Sequence, residues 1–297
     1  MTFAGSYVAL ITPFRNGEID EARLRELVDF QIEGGTNGLV PCGTTGEAAT
    51  MSDDEVNRVI EIVVDQARGR VPVIAGTGSN DTRKTIKYTK HAKELGAAAA
   101  LIVTPYYNKP TPEGVYQHFK AIDQACDLPS VLYNIPGRTG SNVPPETIVR
   151  IAREIPTVVG VKEASGSIDQ ASQIVIGAGP SFDVLSGDDS LTLPIMSVGG
   201  KGVISVLANI APRPVAEMTA AFLKGDPRRA QEIHARVFNL CRALFIETNP
   251  IPVKAAAGML GLCADEVRLP LWAIGEANRQ KLAAALKECP YTEPVAV

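Results

Sequence analysis

The stretch TVVGVKEASG, residues 157–166, decides the fold. Val158, Val159 and Val161 make an apolar, β-branched run with no polar alternation, which is the pattern of a strand covered on both faces. The run stops at a cation, Lys162, followed by Glu163, Ala164 and a Ser165–Gly166 turn towards a helix. A strand covered on both faces needs helices packed on its sheet, so the flanking segments should alternate between strand and helix.

They do. Seven further apolar runs have strand length: YVALIT (7–12), GLVPCG (38–43), VPVIAG (71–76), AALIVTP (99–105), PSVLYN (129–134), FDVLSG (182–187) and GVISV (202–206). Helical segments with proper punctuation lie between them. Asp20 caps a helix that stops at Gly34–Gly35, and Ser52 and Glu55 form a capping box. Asp81 opens a helix ending at Gly96, and Pro144–Pro145 opens another. Strict alternation implies parallel strands joined by crossover helices. Eight such units match a (β/α)8 TIM barrel. An open doubly wound sheet is the weaker alternative, because the first strand–helix turn lacks G-x-G-x-x-G. Past residue 212 the segments read as helices without strands. The expected division is a catalytic barrel over residues 1–224 and a C-terminal helical region over residues 225–297. Leu223, Phe238, Leu240, Phe245 and Trp272 are the expected packing residues of the helices past residue 212.

Bulk properties exclude several function classes. The net charge of −4 and the absence of basic runs argue against nucleic acid as a partner. The N-terminus has no basic n-region with a long apolar core, and no stretch approaches membrane-spanning length. Five scattered cysteines without a C-x-x-C pair fit a reduced, cytoplasmic chain without structural zinc.

In a barrel enzyme the chemistry sits beyond the C-terminal ends of the strands. The segments there are GTTGE (43–47), GTGSN (76–80), TPYYN (104–108), YNIPGRTG (133–140), KEASG (162–166) and SGDD (186–189), a ring of small and polar residues suited to a small polar substrate. Lys162 is either a strand-end lysine snorkelling to solvent or a desolvated amine. Burial favours the neutral amine, the nucleophile that forms Schiff bases with carbonyl compounds. Lys84, Lys87, Lys90 and Lys93 line a solvated helix face, Lys254 lies among the C-terminal helices, and Lys201 precedes its strand. Tyr133 ends a strand in the same manner as Lys162 and suits proton transfer, with Tyr107 and Thr44 as hydroxyl partners. Tyr107 reads equally as an interface residue. Thr44 and Thr45 suit a carboxylate or a proton relay. Arg138 is either a carboxylate-gripping cation over the pocket or a surface ion-pair member. Asp188 and Asp189 with Glu47 are a weak metal set, since His91, His118 and His234 all fall in helices; Glu47 reads as a residue that orders its loop. SVGGKG (197–202) as a phosphate loop is disfavoured, because it precedes its strand.

Seven motifs in order, GTTGE, AGTGSN, TPYYNKP, YNIPGRTG, GVKEASG, LSGDD and NPIPVK, closely resemble the dihydrodipicolinate (4-hydroxy-tetrahydrodipicolinate) synthase family from about residue 3 to about residue 285. The resemblance implies condensation of pyruvate with L-aspartate 4-semialdehyde in lysine and diaminopimelate biosynthesis, with no metal or organic cofactor. It implies a homo-oligomer, usually a homotetramer built as a dimer of dimers. It makes Lys162 the Schiff-base lysine and Tyr133 the proton relay, linked through Thr44 to Tyr107 of a neighbouring subunit. It gives Thr45 the pyruvate carboxylate, Arg138 the semialdehyde carboxylate, and Gly187 and Ile204 backbone carbonyls near the substrate. N-acetylneuraminate lyase and the keto-deoxy-sugar aldolases share the GxxGE loop, the tyrosine and the lysine, but are expected to lack the GRTG and paired-tyrosine patterns seen here. In lysine-inhibited relatives the effector site involves positions that correspond to 48–56 and 80–106. Asn80 and Tyr106 fit it; Lys84 has the wrong sign, and Asp53 and Val56 replace histidines, which implies weak or absent feedback inhibition. Glu163 receives no role.

Overall fold

The computed structural model describes residues 2–292; Met1 and residues 293–297, the end of the expected helical region, lie outside the described residues. Eight strands form one sheet: β1 (Gly5–Ala9), β2 (Gly38–Val40), β3 (Ile74–Gly76), β4 (Ala99–Val103), β5 (Ser130–Asn134), β6 (Val158–Glu163), β7 (Asp183–Ser186) and β8 (Gly202–Ser205). The sheet order is β2-β1-β8-β7-β6-β5-β4-β3. Strands consecutive in the chain pair in parallel from β3 to β8 and at β1–β2, and Leu39 of β2 bridges in parallel to Val73, the residue before β3. This order, with a helix in each crossover, is that of the (β/α)8 barrel class. The reversal of direction that marks a doubly wound sheet does not occur. Helices follow the last strand, as the sequence pattern anticipates.

The chain divides into two compact units. The first contains residues 2–5 together with Ile74–Ile204. Its helices Thr82–Glu94, Pro112–Ala125, Pro145–Glu154 and Ile168–Ala178 cover one face of the sheet. Asp81, Thr111 and Ser167 each accept a backbone N–H at a helix start, satisfying donors that would otherwise lack partners. Leu132, Val158, Val161 and Val184 from the strands pack on Phe119, Ile122, Ile148, Ile151, Ala171 and Ile174 from the helices. Each of the Val, Leu, Ile and Phe side chains among them contributes about 1.5–3 kcal/mol by leaving water. Gly160 interrupts the valine run of β6 because the sheet is tight there: a Cβ at that position would lie 2.6 Å from the Asp183 carbonyl oxygen. Lys201, expected at the N-terminal end of its strand, pairs there with Asp183 at 2.8 Å.

The second unit contains Ser6–Val73 and residues 205–292. Helix Glu21–Glu33 is capped by Asp20, and helix Asp53–Ala67 opens with the Ser52–Glu55 capping box. The strand spans are shorter than the apolar runs; YVALIT, for example, contributes only its first three residues to β1. A small antiparallel hairpin, Phe14–Arg15 with Glu18–Ile19, was not anticipated. Its signal is present in the sequence, since Asn16 and Gly17 both take positive φ, the Asn-Gly preference of tight hairpin turns.

The C-terminal helices are Pro212–Leu223, Pro227–Ala243, Ile251–Met259 and Glu276–Glu288. Of the five packing residues expected there, only Leu240 is buried; Leu223, Phe238, Phe245 and Trp272 are exposed. Helix Pro227–Ala243 instead buries Ala230, Ile233, Val237, Leu240 and Cys241, a stripe at helical spacing that Phe238 falls outside. Among the described residues no helix is long and apolar enough to cross a membrane.

Candidate active site

Within the first unit, β5 and β6 pair so that Tyr133 stands opposite Lys162 and Asn134 opposite Glu163. Alternate residues of a strand point to opposite faces. Val161 packs into the helix-facing core and Glu163 bonds Gln170 of the Ile168–Ala178 helix, so Lys162 between them points to the other face. Lys162 is buried, and its Nζ stands 4.2 Å from the centroid of the Tyr133 ring. Burial lowers its pKa from 10.5 to about 7; the Asp189 carboxylate acts against the shift and the Arg138 guanidinium adds to it. At neutral pH a large share of Lys162 is therefore the free amine, the form that attacks a carbonyl.

Gly187 follows β7, and its N–H donates to the Glu163 carbonyl at 2.7 Å. A Cβ at 187 would lie 3.2 Å from Lys162 Cε and 2.6 Å from Ala164 Cβ, so glycine makes room for the lysine stem. Ile204 is buried in β8. Arg138 lies exposed in a single helical turn, Pro136–Thr139, four residues past the end of β5. Asp189, whose membership of a metal set the sequence disfavours, is a buried carboxylate acting on Lys162. Asp188 accepts the Ser190 N–H and hydroxyl, each at 2.8 Å. Tyr107 is not folded into the unit: it is 89% exposed and has φ +72°, an uncommon backbone state for a bulky residue.

The second unit holds Thr44 and Thr45 in the turn after β2. Thr45 is buried, and its Oγ1 accepts from Asn249 Nδ2 at 3.0 Å. Thr44 is half-buried one residue earlier. Glu47 holds this turn. It is buried with φ +55°, its Oε1 accepts from Lys254 Nζ at 2.6 Å, and its Oε2 accepts from the Arg268 N–H at 3.0 Å. Lys254 is wholly buried, also donates to the Thr12 carbonyl at 2.9 Å, and stands 4.2 Å over the Phe14 ring. Glu47 thus orders its loop, as its sequence position suggested. Its place among the C-terminal helices gives Lys254 no role by sequence alone; the tertiary structure makes it the counter-ion of that loop. The motif NPIPVK, which contains both Asn249 and Lys254, carried the available signal. Among the described residues no group of three or more His, Cys, Asp or Glu is arranged to hold a metal.

The dihydrodipicolinate synthetase family model matches residues 2–289. The chain belongs to this family. The 4-hydroxy-tetrahydrodipicolinate synthase of Thermomicrobium roseum is 58% identical over 288 residues, covering 97% of this chain and 95% of that protein. The crystal structure of dihydrodipicolinate synthase from Aquifex aeolicus shares 50% identity at a TM-score of 0.96, covering 98% of this chain and 99% of that one. The Acinetobacter baumannii dihydrodipicolinate synthase, solved as a complex with pyruvate, shares 46% identity at a TM-score of 0.95, covering 98% of this chain and all of that one. Family membership extends over both units and includes every one of the seven motifs.

Proposed function

We propose that this chain is a 4-hydroxy-tetrahydrodipicolinate synthase, condensing pyruvate with L-aspartate 4-semialdehyde through a Schiff base on Lys162. One observation carries the assignment: Lys162 is a buried amine poised near neutrality, in strand register with Tyr133 and stacked over its ring. Attack of the amine on the pyruvate keto carbon with loss of water gives an iminium. The iminium acidifies the pyruvate methyl group, and Tyr133 moves the protons. The resulting enamine attacks the aldehyde carbon. The amino group of the adduct then displaces the lysine by cyclisation, and Lys162 is freed.

In this reading Thr45 and its N–H hold the pyruvate carboxylate, Arg138 the semialdehyde carboxylate, and the Gly187 and Ile204 carbonyls face the substrate. Thr44 passes protons between Tyr133 and a Tyr107 supplied by a second copy. The near-complete exposure of Tyr107 supports that last role. The assembly is at least a dimer and is taken as a dimer of dimers, cytoplasmic, with residues 1–224 forming the catalytic barrel and 225–297 the helical region.

Borohydride reduction with pyruvate should fix a pyruvate-derived mass on Lys162, and on no other residue. The trapping rate should climb with pH through about 7 and then level, because the amine becomes neutral as pH passes its lowered pKa. Labelling elsewhere, or a midpoint near the ordinary lysine value, rejects the mechanism. Feedback by free lysine is expected to be weak. Lys84 is exposed and cationic, so it repels a cationic effector, and Val56 offers an apolar side chain. Titration calorimetry should show no lysine binding at micromolar affinity.

A further inference from the structure

A buried, extensively hydrogen-bonded polar cluster lies directly behind Lys162. Glu163 is 1% exposed, on the helix side of β6. Its Oε1 accepts the Ser165 N–H at 2.6 Å, and its Oε2 accepts Gln170 Nε2 at 3.1 Å. Asn134 Nδ2 reaches both carboxylate oxygens, at 3.3 and 3.1 Å. Asn134 and Gln170 are themselves buried. From them the network runs outward to the segment after β5. Asn134 Nδ2 donates to Asn142 Oδ1 at 2.9 Å, and Asn134 Oδ1 accepts the Val143 N–H at 3.1 Å. Gln170 Oε1 accepts from Asn142 Nδ2 at 2.9 Å. Asn142 and Val143 close the segment that begins at Ile135 and carries Arg138.

The network has a fixed polarity. An ionised carboxylate only accepts, so Asn134 and Gln170 must both turn their NH2 groups towards Glu163. That choice leaves Asn134 Oδ1 free to receive Val143 N–H, and Gln170 Oε1 to receive Asn142 Nδ2. Reversing either amide would set donor against donor in a buried place, where an unmade hydrogen bond is costly. The carboxylate therefore dictates how the 135–143 segment is fastened to β5 and β6, the two strands that end in Tyr133 and Lys162.

We propose that Glu163 is a positioning residue: through Asn134, Gln170 and Asn142 it sets where Arg138 stands relative to Lys162, and thereby governs capture of the second, aldehyde substrate rather than formation of the pyruvate Schiff base. This deepens the synthase reading and rests on it. Lys162 points to the face of β6 opposite this network, whereas Arg138 is exposed on one short turn whose far end is held by it.

The test uses Glu163→Gln, which keeps shape but replaces an acceptor with a donor, and Asn142→Ala, which cuts the network at its exposed end. Borohydride trapping of pyruvate on Lys162 is measured beside steady-state kinetics with both substrates. The expected result for each variant is a trapping rate within about 2-fold of the parent and a KM for the semialdehyde raised about 10-fold or more, with the pyruvate KM little changed. A semialdehyde KM within about 2-fold of the parent in both variants overturns the proposal, as does a trapping rate that falls in step with kcat/KM. Should Glu163→Gln fail to fold, Asn142→Ala decides alone. If the parent itself does not trap pyruvate, the synthase reading fails; if the parent traps and the variants do not split, only the positioning role fails.

Discussion

Lys162→Met is expected to reduce kcat/KM on the order of 10⁴-fold or more, the scale seen when an enzyme loses its covalent nucleophile. Among the described residues no other lysine of the first unit is so placed. Lys201 is tied to Asp183 at the opposite end of its strand, and Lys84 and Lys93 are exposed on a helix. The same substitution should not weaken the fold. The Lys162 pKa is depressed in the folded chain, so between about pH 7 and the ordinary value of 10.5 the unfolded chain binds the extra proton. The cost of burying this lysine is therefore full below about pH 7 and fades as pH rises towards 10.5. A methionine of similar length avoids that cost, so the variant should unfold at equal or higher urea concentration than the parent at about pH 7, with its advantage shrinking by about pH 10. Loss of activity accompanied by a loss of stability at neutral pH would indicate that Lys162 serves the fold.

Lys254→Met should be strongly destabilising, by about 3–5 kcal/mol in urea denaturation, because it leaves the Glu47 carboxylate buried without its ammonium partner. That is a large part of the roughly 5–15 kcal/mol typical of a folded chain. Both side chains are inaccessible to solvent. Burial lowers the lysine pKa, while Glu47 holds it up. The double change Glu47→Gln with Lys254→Met removes both charges together and should recover a substantial part of the loss. The Glu47 turn also carries Thr44 and Thr45, and Asn249 bonds Thr45. The single variant should accordingly raise the pyruvate KM before it unfolds. A loss of stability below about 1 kcal/mol, with unchanged pyruvate KM, would show that the pair is not what holds this turn.

The candidate site was legible in the sequence to different depths. Lys162 and Tyr133 stood out because an apolar strand that ends in a polar residue is a one-dimensional pattern, and the pairing of β5 with β6 then sets them side by side. The role of Glu47 was suggested by its place in a glycine-rich turn, but its partner was not, since Lys254 is 207 residues away. The sequence disfavours a metal at Asp189 but names no partner for it, because carboxylate identity alone does not say which group it faces; the structure shows that group to be Lys162. The exposed residues expected to pack the C-terminal helices depend on placement that residue type does not give: Phe238 lies off the buried stripe of its helix, Leu223 ends its helix, and Phe245 and Trp272 lie outside the helices.

The sequence by itself determined the alternation of strand and helix, the parallel pairing that follows from it, the caps at Asp20, Ser52 and Asp81, and the lysine at the end of β6. These depend on local periodicity and on backbone groups within a few residues of one another. Only the tertiary structure decided that Lys162 is dry enough to be half-neutral, that Lys254 answers Glu47, and that Glu163 is wired through Asn134 and Gln170 to the segment bearing Arg138. Desolvation and buried hydrogen bonding depend on what surrounds a group from every side, and those neighbours come from distant parts of the chain.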